Sequence, residues 1–255
     1  MSGSFLRRLA SWLRGTNNRV PLDERDPASN KKDDLAGLLA DDDLSWLHPP
    51  QDIHFTEAWD RYWRDQINHG LGPGLFDMFC DEERLISAMR RRGFTTILCA
   101  GNGISQEPRA LAAAGFKVTA LDTSPVATQI AQAVEFGPDA LVRYYPQAHR
   151  DAGGSVEFVV GDLRDESLCP GPFDVVIERR TLQLFPPGER GPALDALAHR
   201  LRPDGIFLSH CHCGTHPDAH NPLEDLFAEK GWAIECAYED LRSEGRVAWL
   251  SQSTG

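Results

Sequence analysis

The sequence has no run of about 18 consecutive apolar residues, so it predicts no membrane-spanning helix. It is also short of positive charge: among 255 residues, 26 Lys and Arg stand against 38 Asp and Glu, a net charge of −12. Such a surface repels phosphate backbones and anionic lipid, so neither nucleic acid nor stable membrane association is expected. No apolar export segment is visible either, because arginines interrupt the apolar residues of MSGSFLRRLASWLRG. Cys80, Cys99, Cys169, Cys211, Cys213 and Cys236 are few for a chain long enough to fold without staples, and they read as reduced thiols of a cytoplasmic protein. What is present is an ordinary globular balance, 41% hydrophobic, 25% charged and 9% aromatic. That balance excludes wholesale disorder and fits one large domain, or a domain with a cap.

Three stretches follow from patterning. Residues 1–53 hold a short basic amphipathic helix over 4–14, then an acidic linker with eight acids between Val20 and Asp43. The helix either docks on its own domain or touches a membrane or partner. Residues 54–93 form a helical cap: Phe55, Trp59, Trp63 and Ile67 recur every four positions, and Asp81 to Arg92 carries a second apolar face ended by Gly93. Residues 94–255 alternate short β-branched runs with Ala- and Leu-rich stretches, the mark of βαβ units. Strands are predicted at Thr95–Ala100, Lys117–Leu121, Val156–Val160, Asp174–Ile177 and Ile206–His210, with helices near Glu107–Ala114, Pro125–Phe136 and Pro192–Leu201. A helix near Pro222–Lys230 and two strands, Ala233–Tyr238 and Arg246–Ser251, close the chain. The expected class is therefore α/β: a Rossmann-like doubly wound sheet of mostly parallel strands with a C-terminal antiparallel hairpin, preceded by the helical cap.

The segment ILCAGNGIS joins the first strand to the first helix, where Gly101 and Gly103 supply a tight turn and close backbone approach. Asp122, about 20 residues on, ends the next strand, where an acid accepts both hydroxyls of a ribose. A dinucleotide loop would need a third glycine at Gln106, and Glu107 puts a negative charge where a pyrophosphate would rest. An adenosine cofactor bearing an ammonium and a sulfonium meets no such repulsion.

With FKVTALDTSP, VEFVVGD, FDVVIERRTLQLFP and LRPDGIFL in matching order, the segment 94–255 resembles the class I S-adenosylmethionine-dependent methyltransferases. The resemblance implies that Gly101 and Gly103 pass under the methionine part, that Asp122 holds the ribose, and that Asp162 with Leu163 frames the adenine. The implied cofactor set also takes in Cys99, Asn102, Thr123 and Glu178. Where the family usually has an acid two residues before the first glycine, this chain has Cys99, and Ser105 replaces the third family glycine. The tract IERRTLQLFP and the Trp-x-x-x-Trp helix are similar to thiopurine-methyltransferase-type enzymes, which implies a small-molecule acceptor.

The remaining candidates are weighed on chemistry. Glu178, Arg179 and Arg180 follow a buried strand at the edge where open α/β sheets bind ligands; they either serve the substrate or form a local ion-pair cluster. Trp59 and Trp63 wall the acceptor or form the cap's core. HCHCGTHPDAH invites a metal reading, but strand alternation sends His210 and His212 to one face and Cys211 and Cys213 to the other, so no metal is expected. Glu178, His210 and His212 are the candidate bases, and Arg179 and Arg180 the candidate anion readers. The expected function is methyl transfer from S-adenosylmethionine to a small molecule. A non-catalytic cofactor- or partner-binding protein on the same fold is the alternative.

Overall fold

The computed structural model describes residues 49–50, 53–54, 56–69, 82–133, 153–212, 223–240 and 245–252. The expected basic helix, the acidic linker and the Cys/His tract beyond His212 lie outside the described residues.

Two helices, α1 (Thr56–Asn68) and α2 (Glu82–Arg91), precede the sheet. Strands β1 (Thr96–Ala100), β2 (Lys117–Asp122) and β3 (Ser155–Val160) are joined through α3 (Glu107–Ala113) and α4 (Pro125–Ala133). Then come β4 (Phe173–Arg179), a 3-10 turn over Leu182–Leu184, α5 (Pro187–Ala198), β5 (Leu201–His212), α6 (Glu224–Glu229), β6 (Trp232–Asp240) and β7 (Gly245–Gln252). The seven strands lie in the order β3-β2-β1-β4-β5-β7-β6. The first five pair in parallel, while β7 runs antiparallel to both β5 and β6. This is the Rossmann-like sheet with an antiparallel C-terminal pair.

The strands read as continuous apolar runs because both faces of the sheet are covered. Ile97, Val175, Ile177 and Ile206 pack under Leu85, Ile86 and Met89 of α2 and Ala110 and Leu111 of α3. Leu98, Val176 and Phe207 meet Leu194 and Leu197 of α5 and Phe227 of α6. Full burial of each such side chain contributes roughly 1.5–3 kcal/mol. At the opposite end from the glycine loop, Asp174 ties β4 to β1 by accepting the N–H of Thr95 at 2.5 Å and of Thr96 at 2.9 Å, with Arg202 Nη1 at 2.5 Å.

Helix α5 starts at Pro187, not at Pro192 as expected, and Pro192 lies inside it. Pro187 suits a first turn, where its fixed φ is helical and its missing N–H has no partner to lose. Pro192 has no N–H to offer the carbonyl of Gly188, and Gly188 is exposed to solvent, which lowers that cost. Strand β5 also begins earlier than the expected Ile206. Its ladder with β4 shifts register between Phe173 and Val175, across the stretch holding Pro203, which has no N–H to donate.

Candidate active site

The order reverses at β1, which has β2 on one side and β4 on the other. Open α/β sheets bind ligands in the crevice beyond the carboxyl ends of such strands, and a cavity of about 610 Å³ lies there.

Its floor is the glycine loop. Gly101 and Gly103 have φ of +66° and +54°, a left-handed geometry that only glycine adopts without strain. The close approach they permit is to the protein's own side chains. A Cβ on Gly101 would lie 2.2 Å from Thr181 Oγ1, and one on Gly103 would lie 2.7 Å from the ring of Trp63. Gly103 N–H donates to Asp122 Oδ2 at 2.6 Å, and Ser124 N–H donates to Oδ1 at 2.8 Å. Burial pushes the Asp122 carboxyl up to about 6, against the pull of the Ser124 and Gly103 N–H groups. Each oxygen keeps a lone pair for a further donor.

Helix α1 forms the roof. Asp60 Oδ1 accepts from Ser124 Oγ at 2.5 Å and from Val126 N–H at 3.1 Å, so its carboxylate sits at the first turn of α4, where the helix dipole favours an anion. Trp63 packs on Ile67, Ile104 and Val126. Tyr62 makes edge contacts with Trp63 at 4.9 Å and Trp59 at 5.6 Å, and burial raises its phenol above the ordinary value against the pull of Arg180. All three rings line the cavity, and of the stripe Trp63 also packs against a core cluster.

The mouth is polar. Asp162 and Leu163 line it, and the Asp162 carboxylate accepts from Arg164 Nη2 at 2.6 Å and from Arg164 N–H at 2.8 Å. Burial acts upward on Asp162, but the bonds and charge of Arg164 outweigh it and hold the acid below the usual range. Arg164 also reaches Glu189 at 3.1 Å and His54 at 3.2 Å and lies over the Phe185 ring.

The far wall differs from expectation. Arg179, Arg180 and His210 line the cavity, as do Cys99, Asn102 and Thr123. Glu178 does not. Side chains alternate along β4, so while Arg179 points at the cavity, Glu178 is fully buried in the opposite layer. Its carboxylate accepts from the N–H groups of Thr181 and Leu182, each at 3.1 Å, and from the Ser209 hydroxyl. Glu178 is therefore neither a base nor a cofactor ligand here; it shapes the turn after β4. Burial raises its pKa, against those bonds and the charge of Arg179.

His210 is 2% exposed, with Nδ1 3.3 Å from Arg179 Nη1. A guanidinium only donates, so Nδ1 accepts and Nε2 carries the ring proton. That tautomer offers no lone pair to a substrate proton, so a base role for His210 requires release from Arg179. The backbone of His212 ends β5, but its side chain lies outside the described residues. Among the described residues no group of three or more His, Cys, Asp or Glu is arranged to hold a metal. Cys99, Cys169 and Cys211 are free thiols, and no described helix is long and apolar enough to cross a membrane.

Glu107, seen in sequence only as an obstacle to pyrophosphate, is the partner of Arg179. Arg179 Nε donates to Oε2 at 2.6 Å and Nη2 to Oε1 at 2.9 Å, and the Glu107 side chain is only 6% exposed. Beside them burial, and then the Glu107 charge, push the Cys99 thiol well up, which keeps it neutral.

Residues 97–205 match the family model of a methyltransferase domain. Over that segment the chain is similar to methyltransferase domains. The resemblance read in the sequence implies S-adenosylmethionine as the methyl donor. Among curated proteins the chain is similar to a carboxy-S-adenosyl-L-methionine synthase of Psychrobacter sp. (strain PRwf-1), 28% identical over 131 residues, which cover 51% of this chain and 39% of that protein. The chain thus spans well under half of the relative's length. The fold is similar to that of an S-adenosylmethionine-dependent methyltransferase from Methanosarcina mazei, at 17% identity and a TM-score of 0.53, covering 69% of this chain and 98% of that one. It is also similar to magnesium protoporphyrin IX methyltransferase from Synechocystis PCC 6803, at 17% identity and a TM-score of 0.50, covering 88% and 92%.

The described residues fit the cofactor. Asp122 offers acceptors at the strand end, Leu163 and Phe185 give the mouth an apolar wall, and Glu107 with Arg179 places both charge signs at the far end.

Proposed function

We propose that the chain transfers the methyl group of S-adenosylmethionine to a small-molecule acceptor held under α1. The observation that carries this reading is that the glycine loop and the rings of Trp59, Tyr62 and Trp63 line one cavity of about 610 Å³. Ligand cavities span about 300–1,000 Å³, so there is room for the cofactor and a small acceptor. The aromatic walls favour a flat or apolar acceptor.

Catalysis is then positioning. The acceptor atom must lie within about 3–3.5 Å of the methyl, in line with the sulfur, with water kept out. Ring contacts from α1 and the fixed glycine loop serve both needs. With Glu178 turned away and His210 Nδ1 engaged by Arg179, the acceptors best matched are those that bring their own nucleophile, such as a thiolate, whose proton is already lost. Arg180, at the cavity edge with φ of 58°, is placed to meet an anionic substituent.

The test is transfer of a labelled methyl group to a panel of aromatic thiols, phenols and amines. Turnover on a thiol, lost in Trp59→Ala, supports the reading. Cofactor binding with no transfer to any member supports instead the non-catalytic alternative, in which the fold and cofactor serve a binding role.

A further inference from the structure

The methyl donor carries a zwitterion at one end, an ammonium and a carboxylate on one carbon, and the described lining of the cavity includes a pair of opposite charges, buried Glu107 and half-buried Arg179. We infer that the Glu107–Arg179 pair is the clamp for this amino-acid end, with Glu107 receiving the ammonium and Arg179 the carboxylate. The inference rests on S-adenosylmethionine being the cofactor.

Three observations carry it. The first is position. With Asp122 ending β2 and Arg179 ending β4, β1 lies between them, and strands are about 4.8 Å apart. A ligand whose ribose meets Asp122 therefore spans the glycine loop and brings its far end over Arg179. The second is spare capacity. The Glu107 carboxylate has about four acceptor sites, of which Arg179 occupies one on each oxygen, and of the five guanidinium N–H groups two go to Glu107 and one, on Nη1, to His210. Both groups line the cavity, so each can take a charge-assisted bond from a ligand without leaving the other. The third is the neutrality of the surroundings. Cys99, the residue of β1 beside them, remains a thiol because burial and Glu107 oppose its ionisation. An ammonium arriving here thus finds its anion in Glu107. Paired with each other, the two side chains leave no uncompensated buried charge.

A pair that only fastened α3 to β4 would look alike in the empty protein and differ with ligands. The measurement is calorimetric affinity for three molecules: S-adenosylmethionine, its decarboxylated form, and 5′-methylthioadenosine, which lacks the whole amino-acid end. Glu107→Gln should weaken S-adenosylmethionine by about tenfold or more, as loss of a hydrogen bond to a charged group implies, and 5′-methylthioadenosine less than about twofold. Arg179→Gln should weaken S-adenosylmethionine by a similar factor, yet leave the decarboxylated form unchanged or tighter, since Glu107 then faces its ammonium alone. If either single variant does not fold, Glu107→Gln/Arg179→Gln, which strands no charge, should bind S-adenosylmethionine and 5′-methylthioadenosine with nearly equal affinity. Equal losses for all three ligands, or none, would overturn the clamp. Failure of wild-type protein to bind S-adenosylmethionine and 5′-methylthioadenosine would instead overturn the cofactor assignment.

Discussion

Burial works on Asp122 against the ionised form that the proposed ribose contact needs. Burial raises its pKa to about 6, so below that value the carboxyl is neutral and offers a hydroxyl ligand a weaker acceptor. Affinity for S-adenosylhomocysteine should therefore fall as pH drops from about 7 to about 5, and Asp122→Asn should flatten that slope while weakening binding throughout. Its effect on folding has the opposite sign. Between about 4 and 6 the native carboxyl keeps a proton that the unfolded one releases, so this group's contribution to stability declines as pH rises through that window. Glu178 makes a contrasting prediction. Glu178→Ala strands the N–H groups of Thr181 and Leu182 and the Ser209 hydroxyl, which should cost about 2–4 kcal/mol and lower Tm by several degrees. Glu178→Gln keeps an acceptor for the two N–H groups and should retain turnover per folded molecule, whereas a catalytic carboxylate would lose about 10²-fold. The place of Asp122 at the cavity was legible because its strand, its loop and the roughly 20-residue spacing all agree. Glu178 was not, because near a strand end one residue of phase decides between cavity and core, and the apolar run Val175–Ile177, buried on both faces, carries no alternation to fix that phase.

At the scale of elements, α1 and the glycine loop form one unit. Trp63 fills the space that a side chain on Gly103 would need, and Asp60 anchors α1 to Ser124 and α4. Gly103→Ala thus imposes both a left-handed φ on a residue with a Cβ and a collision with the Trp63 ring, so it should lower Tm and cofactor affinity together. Trp63→Leu in that background should recover part of the Tm, because only the collision is relieved; no recovery would mean that backbone strain alone sets the cost. The strands and the terminal hairpin were readable from buried β-branched runs. The start of α5 was not, since two prolines five residues apart both resemble a first turn. The anchoring of α1 by Asp60 was invisible too, because a carboxylate on a polar helix face looks the same whether it meets water or the N-terminus of another helix. The partner of Arg179 was missed for a related reason. Glu107 and Arg179 are 72 residues apart, and only the adjacency of β1 and β4 brings them together.

At the scale of the molecule, the order β3-β2-β1-β4-β5-β7-β6 puts Asp122, the glycine loop and Arg179 in a row across the carboxyl edge, with α1 above them. The acidic balance of −12 over the chain disfavours a nucleic-acid acceptor. The central claim is that this row holds S-adenosylmethionine, and equilibrium calorimetry tests it most directly. Wild-type protein should bind S-adenosylmethionine at one site per chain and show no heat with NAD, whose pyrophosphate would face Glu107. Asp122→Ala should lose about 1–3 kcal/mol of that binding, the contribution of hydrogen bonds to a charged group. Binding of NAD in place of S-adenosylmethionine, or unchanged affinity in Asp122→Ala, would contradict the account.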